Sequence, residues 1–281
     1  MKKVSNSLIN WVNEFPLKKK TSHKYSRGHL VVLGAKKDML GASILSCEAA
    51  LRTGVGSVRV LCNKKTIPIY SLKFPSLLKT EINTLKSFKK FVIKNKKSVF
   101  LIGPGAGSNN QTKNKVIFLL KNVKYVILDA DALTCFKKDR KKLYKLLNKD
   151  KIITPHIKEF NKIFPKFKKN KNIFSNIKKA LELVNCTIVL KGSITYIAKK
   201  NFLCINDKST NELAVIGSGD VLSGIISSLV GENKMNPFKA SCAGVWIHSR
   251  AGKKSGKGLI AEDLIKQLKI ILKKIYGKST R

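Results

Sequence analysis

The chain has 281 residues, 43% of them hydrophobic, and carries 57 Lys+Arg against 16 Asp+Glu for a formal net charge of +41. That is enough apolar material for one large α/β domain or two small ones. Six cysteines (Cys47, Cys62, Cys135, Cys186, Cys204, Cys242) form no C-x-x-C pair and no Cys/His spacing for zinc, no apolar run approaches the ~20 residues that span a bilayer, and the N-terminal lysines lead into no apolar leader segment. A zinc module, a membrane span and a secretory signal are therefore excluded, and a cytoplasmic protein with buried free thiols is expected.

Residues 1–22 are polar and basic around Ile9, Trp11, Val12 and Phe15, which predicts a short helix packed on the body and then a loop. The apolar run 29–33 predicts a buried strand, 42–52 a helix capped by Gly54, and 57–62 a second strand. Residues 63–97 mix strand, loop and helix fragments with lysine runs. Strands follow at 99–102, 125–128, 152–153 and 187–190, helices at 116–121, 141–147, 157–163 and 174–184. Residues 194–198 and 202–205 predict a hairpin, and 221–230, 237–253 and 261–275 three final helices. Strands alternating with helices predict a mostly parallel sheet covered on both faces, with its ligand site at the carboxyl ends of the strands.

The glycine-rich and carboxylate-bearing stretches all fall just after predicted strands or before a predicted helix. Gly217-Ser218-Gly219-Asp220 runs straight into the apolar segment 221–230. Glycines admit a close-lying ligand, and free N–H groups at a helix N-terminus favour an anion. The turn therefore suits a phosphate, with Asp220 able to take a proton from an attacking hydroxyl; the same residues would also serve as a plain Asp N-cap. Gly103-Pro104-Gly105-Ala106-Gly107 follows a strand but is neither a G-x-G-x-x-G fingerprint nor a P-loop. Thr154-Pro155-His156-Ile157-Lys158-Glu159-Phe160 sets His156 and Glu159 three apart, suited to a substrate hydrogen bond and a water-held Mg²⁺, or to an ordinary helix start. Lys191-Gly192-Ser193-Ile194-Thr195 offers an ammonium, backbone N–H groups and hydroxyls to a phosphate, or is a simple hairpin turn. Asp129 and Asp131 could bind Mg²⁺, orient substrate or brace loops.

Taken in order, these motifs resemble the ADP/ATP-dependent NAD(P)H-hydrate dehydratases of the ribokinase-like superfamily. The resemblance runs from His23-Lys24…Gly28-His29, through Gly41-Ala42, the Gly103–Gly107 turn, Asp129-Ala130-Asp131-Ala132-Leu133 and Thr154–Phe160, to Leu190–Thr195 and Leu213-Ala214…Gly217–Gly224. It implies a ribokinase-like α/β domain over 23–276, an extension at 1–22 and a basic tail at 277–281. It also implies an enzyme, a carbon–oxygen lyase that phosphorylates the hydroxyl of the S epimer of hydrated NADH or NADPH and expels phosphate to restore the coenzyme. By the same resemblance Asp220 is the base, and Ala42, Gly107, His156 and Asp220 bind the hydrated coenzyme. Lys191, Gly192, Ser193, Ile194, Thr195 and Gly219 hold the nucleotide, ADP or ATP, and Glu159 supports Mg²⁺. A separate epimerase and a homo-oligomer, in relatives commonly a tetramer, are further implications. Val215 and Ile216 depart from the smaller or polar residues usual before the glycine turn, and their bulk is expected to narrow the nucleotide pocket or shift its preference.

Two rivals remain. A kinase of the same superfamily acting on a vitamin-precursor alcohol shares the Gly-Ser-Gly-Asp turn but lacks the combined Gly-Pro-Gly-x-Gly and Thr-Pro-His-x-x-Glu-Phe pattern. A basic nucleic-acid binder is suggested by the charge, but 51 of the 57 cations are Lys, scattered along the chain without Arg clusters or interleaved aromatics. Abundant Lys, Ile and Asn match drift in an AT-rich genome, and the general positive field serves to attract anionic substrates.

Overall fold

The computed structural model describes residues 1–17, 26–168, 170–231 and 234–279; the His23-Lys24 pair of the motif series lies outside them. The strands expected between residues 29 and 205 are all present, and they join one sheet together with an unexpected strand, Lys2–Ser5, and with Leu78–Glu81, from the ambiguous segment. They are β1 (Lys2–Ser5), β2 (His29–Leu33), β3 (Ser57–Cys62), β4 (Leu78–Glu81), β5 (Val99–Ile102), β6 (Val126–Leu128), β7 (Lys151–Ile153), β8 (Thr187–Leu190), β9 (Thr195–Lys199) and β10 (Phe202–Asn206). Their order is β1-β10-β9-β8-β7-β6-β5-β2-β3-β4, with only β9 antiparallel to its neighbours. This is the mostly parallel, ribokinase-like α/β architecture expected.

The central strands alternate their side chains between two cores, as a period of two requires. Leu30 and Val32 enter one core with Leu101, Ile127, Ile152 and Val189; Val31 and Leu33 enter the other with Phe100, Ile102, Leu128 and Ile153. The first core is closed by α1 (Leu40–Thr53), α9 (Ser218–Leu229), α10 (Pro237–Ser255) and α11 (Ala261–Ser279). The second is closed by α3 (Leu85–Lys94), α4 (Asn110–Asn122), α6 (Arg140–Leu146), α7 (Ile157–Ile163) and α8 (Ile173–Leu183). Two further helices, α2 (Ile67–Lys73) and the one-turn α5 (Asp131–Thr134), complete the set among the described residues. The segment 63–97, ambiguous in sequence, resolves into α2, β4 and α3.

The N-terminus corrects one expectation. Residues 2–5 are an edge strand parallel to β10, and 3₁₀ turns at Leu8–Asn10 and Val12–Glu14 replace the expected short helix. Trp11 and Phe15 are buried and meet at a tilt, Trp11 also meeting Trp246 edge-on and Phe15 meeting Tyr276 edge-on, so aromatic packing joins the turns' own hydrogen bonds, Trp11 N to Leu8 O and Phe15 N to Val12 O, in holding them.

Two features of the topology position the site. The chain runs outward from β2 to β4, returns to β5 beside β2, and then runs the other way, so the β2/β5 junction is a switch point where loops part. The Gly103–Gly107 turn sits there, with Gly105 O accepting from Lys36 N at 2.9 Å. Secondly, α9 is buried along nearly its whole length and lies against α1 with no room to spare: a Cβ at Gly224 would come within 2.3 Å of Ser46 O, a backbone atom that cannot swing away. Gly224→Ala is therefore expected to force the helices apart and cost about 1–3 kcal/mol, seen as a drop of several degrees in the melting temperature; an unchanged melt would mean that the α1–α9 contact is not rigid.

Candidate active site

At the carboxyl ends of β6, β7 and β8 the backbone continues into three short connections that converge on the N-terminus of α9. The β7–β8 pairing extends past the strands through a bridge between His156 and Lys191, with Lys191 N donating to Pro155 O at 2.9 Å. Lys191 Nζ donates to Asp129 Oδ1 at 2.8 Å and lies 3.3 Å from the position a Cβ would take on Gly219. Both partners of this pair are withdrawn from water, with side-chain exposures of 19% and 2%. Burial by itself would lower the Lys191 pKa, but Asp129 foremost, and Glu159 and Asp220, raise it above its usual value. Lys191 is thus a fixed cation at the mouth of a helix whose first turn carries Asp220.

Asp220 experiences the reverse. Burial, and then the charges of Asp129 and Glu159, push its pKa up to about 7, against the opposing pull of Lys191. Three carboxylates thus surround one ammonium in a largely desolvated place, an arrangement that suits a general base working near neutral pH.

His156 and Glu159 do not share a helical face. His156 is the N-cap of α7: its Nδ1 accepts from Lys158 N (3.0 Å) and Glu159 N (3.3 Å), while Glu159 Oε2 accepts from His156 N at 2.9 Å. This closed capping box leaves His156 Nε2, 3.5 Å from Glu159 Oε1, as the ring nitrogen free to carry the hydrogen. The helix-start reading holds for both residues, and His156 lines the cleft as well.

A cleft of about 550 Å³ opens beside the pair. Of the sequence-predicted residues, His156, Lys191, Gly192, Ser193, Thr195 and Gly219 line it; Ile194, 41% exposed, does not, nor do Asp220, Glu159, Ala42 and Gly107. The last four lie nearby through identifiable links. Ser46 Oγ is shared between Ala42 O and Asp220 O, 3.0 Å from each, so α1 presents Ala42 one turn from the Asp220 backbone. Gly107 N donates to Asp131 Oδ2 at 2.8 Å, and Asp131 is two residues from Asp129. The path Gly107–Asp131–Asp129–Lys191–Gly219–Asp220–Ala42 therefore crosses the strand ends from the switch point to α9. Val215 lines the cleft, whereas Ile216 is wholly exposed, so only the first of these two departures adds bulk to it.

Sequence reading passed over His248 and Ser249, which also line the cleft. His248 Nε2 lies 3.0 Å from both Ser218 Oγ and Ser218 O, tying α10 to the first residue of α9; burial pushes its pKa down to about 4, so it is a neutral ring. The only signal available was a polar pair interrupting the apolar run of α10.

Ala130, between Asp129 and Asp131, has φ 43° and ψ −112°, a conformation that glycine tolerates and a β-carbon does not. Gly103 across from it approaches so closely that a Cβ there would lie 1.7 Å from Asp129 O. Ala130→Val is expected to cost at least about 2 kcal/mol, read from the urea midpoint, and Ala130→Gly to match or exceed the wild type.

A mostly parallel, doubly wound sheet with a desolvated Asp/Lys pair at a glycine-led helix N-terminus is a ribokinase-like fold. The family model described as NAD(P)H-hydrate dehydratase matches residues 30–273, and the chain belongs to that family. The ADP-dependent (S)-NAD(P)H-hydrate dehydratase of Neisseria meningitidis is 30% identical, over 86% of this chain and 82% of its own length. The bifunctional NAD(P)H-hydrate repair enzyme of Coxiella burnetii is 31% identical over 94% of this chain, which spans about half (55%) of that relative's length. Among solved structures, an ADP/ATP-dependent NAD(P)H-hydrate dehydratase from Bacillus subtilis, co-crystallised with ATP/Mg²⁺, has the same fold, with a TM-score of 0.76 at 24% identity, covering 94% of this chain and 96% of that one.

Proposed function

We propose that this protein dehydrates the S epimer of hydrated NADH or NADPH at the expense of a nucleotide, ADP or ATP, and so restores the reduced coenzyme. The observation that carries the reading is the meeting of Lys191, Gly219 and Asp220 at the α9 N-terminus, beside a cleft large enough for a nucleotide. In this reading the turn 191–195 and Gly219 receive the nucleotide phosphates, and Leu213, Val215, Leu222 and Val245 offer an apolar wall to its base. Asp220 takes the proton of the C6 hydroxyl as that oxygen attacks the terminal phosphoryl group. Phosphate is a far better leaving group than hydroxide, and the ring nitrogen supplies the electron pair that expels it; loss of a ring proton then restores the double bond. Phosphoryl transfer depends on positioning and on neutralising charge, which a fixed Lys191 and the α9 N-terminus supply. Ala42, Gly107, Asp220 and His156, which lines the cleft, hold the hydrated coenzyme.

The residues present fit Mg²⁺. Among the described residues no three His, Cys, Asp or Glu side chains are grouped to cage a metal, but Mg²⁺ characteristically takes one or two carboxylates and completes its shell with water and phosphate. Glu159, in a neighbourhood where three carboxylates face one ammonium, would support it, and the ion would shield the phosphate charge. The epimerase implied for the R form is proposed as a separate activity, and self-association as the state in solution, the latter read by light scattering.

The test is recovery of the near-UV absorbance of reduced nicotinamide when hydrated NADH, Mg²⁺ and ADP or ATP are mixed with the protein. Recovery is expected with at least one nucleotide. Folded protein that recovers no absorbance with either, yet phosphorylates hydroxyethylthiazole or hydroxymethylpyrimidine, would replace this reading with the kinase one.

A further inference from the structure

A second concavity lies at the far end of α7 from His156, at least the ~10 Å length of that helix away. It is a groove of about 890 Å³ between α6, the 165–167 turn and α8. Its 13 lining residues include six cations: Lys138, Arg140, Lys141, Lys142, Lys166 and Lys179. At the chain's overall proportion of 57 Lys+Arg in 281, a lining of that size would hold between two and three. The cleft at Lys191 has only that one lysine among 17 lining residues. Of the groove's two carboxylates, Asp139 is already neutralised by Lys113, whose Nζ lies 2.5 Å away.

Beneath this rim the floor is aromatic. Tyr144 stacks on the buried Phe164 (centroids 5.4 Å apart, planes 11° apart), and Phe167 stacks on the same ring at 6.3 Å and 19°. Tyr144 and Phe167 are half-buried, and Leu183 is 45% exposed alongside them. Lys179 lies 35 residues from Tyr144 in the sequence, and Lys138 lies 29 from Phe167; folding brings them together.

We propose that this groove binds a short stretch of single-stranded nucleic acid. A cationic rim over a flat apolar floor matches a chain that alternates phosphates with exposed bases. Five of the six cations are Lys, compact point charges that can follow a phosphate backbone, and the aromatic floor beneath them is what a base, rather than an acidic side chain, can stack on. Duplex keeps its bases stacked inside and offers the floor nothing to meet.

The experiment uses the whole protein and a fluorescein-labelled dT12 or rU12, with anisotropy measured from 50 to 300 mM salt. Binding is expected, at least tenfold tighter than to a 12-base-pair duplex. Replacing Lys138, Lys141 and Lys142 together by Gln is expected to weaken it at least tenfold at 50 mM salt and to flatten the log–log salt slope by about 2. The matched triple Lys253→Gln, Lys254→Gln, Lys257→Gln at the end of α10 and just beyond it should change affinity less than threefold, and turnover of hydrated NADH should be unaffected in both. Photo-crosslinks from a 5-iodouracil oligonucleotide to the unaltered protein should map to Tyr144 or Phe167, which tests the floor without any substitution. Equal loss in the two triples, crosslinks scattered over the surface, duplex binding as tight as single strand, or displacement by polyglutamate at equal charge would each overturn the proposal, the last in favour of an acidic peptide.

Discussion

Asp220→Asn is expected to lower turnover of hydrated NADH by about 10²- to 10⁴-fold, the usual worth of a general base, and at the same time to raise the melting temperature at pH 8. The two effects have one cause. The carboxylate is held where burial and the Asp129 and Glu159 charges oppose its ionisation, so its pKa stands at about 7 rather than near that of a free aspartate. An acid whose pKa is raised by folding contributes stability that is complete below its unfolded pKa and is lost as pH rises through the folded one. Between about pH 4 and 7 the unfolded chain ionises this aspartate while the native state still holds it protonated, so stability falls until the folded carboxylate ionises as well. By linkage this amounts to something on the order of 3 to 4 kcal/mol as an upper bound. Asparagine fills the same space without that charge. The nucleotide-free variant should melt several degrees above the wild type at pH 8, with the gap closing by pH 5. A gap of the same size at both pH values would show that ionisation of Asp220 is not what strains the site. In the active wild type the rate should rise with pH through the region of 7, because only the ionised form accepts the proton.

The residues that carry this reading differ in how far the sequence reveals them. The Gly217–Asp220 turn is legible because it joins two strong local signals, glycines and an apolar helix-length run, and α9 is buried on all sides, as such a run demands. The parallel strands are legible for the same reason: Leu30, Val31, Val32 and Leu33 all enter a core, so the run carries no polar alternation to obscure it. β1 was not legible. Lys2-Lys3-Val4-Ser5 carries almost no apolar signal and becomes a strand only because β10, some two hundred residues away, offers it a free edge. His156, which lines the cleft, was not legible as an N-cap, a role that serine, threonine, asparagine or aspartate ordinarily fills. The pairing of Lys191 with Asp129 spans 62 residues and follows from the strand order β8-β7-β6, which no local pattern encodes. Both residues stood out in the sequence; what could not be read is that they belong to each other.

That pairing makes the second strong prediction. Lys191→Met should reduce turnover at least as severely as loss of Asp220, since the ammonium against Gly219 is the one fixed side-chain cation lining the cleft among the described residues. It also strands Asp129, 2% exposed and now without its partner, so a stability loss of about 3–5 kcal/mol is expected. Asp129→Asn keeps an acceptor for Ala130 N, which Asp129 Oδ1 receives at 2.9 Å, but removes the charge that holds Lys191. Lys191 is then drawn toward Asp220 and Glu159, its other two attractors. Because Asp129 is among the groups that raise the Asp220 pKa, the acidic limb of the rate profile should move to lower pH in Asp129→Asn, while the maximal rate falls through misplacement of the cation. A purely structural brace would lower the rate without moving that limb. The double variant Asp129→Asn, Lys191→Met removes both charges at once and should be more stable than the sum of the single losses by about 1–3 kcal/mol, the coupling expected of contacting partners. It should remain as inactive as Lys191→Met alone. Strict additivity in urea denaturation would mean that the two charges do not interact in the folded protein, and the account of Lys191 as a cation fixed by Asp129 would fail with it.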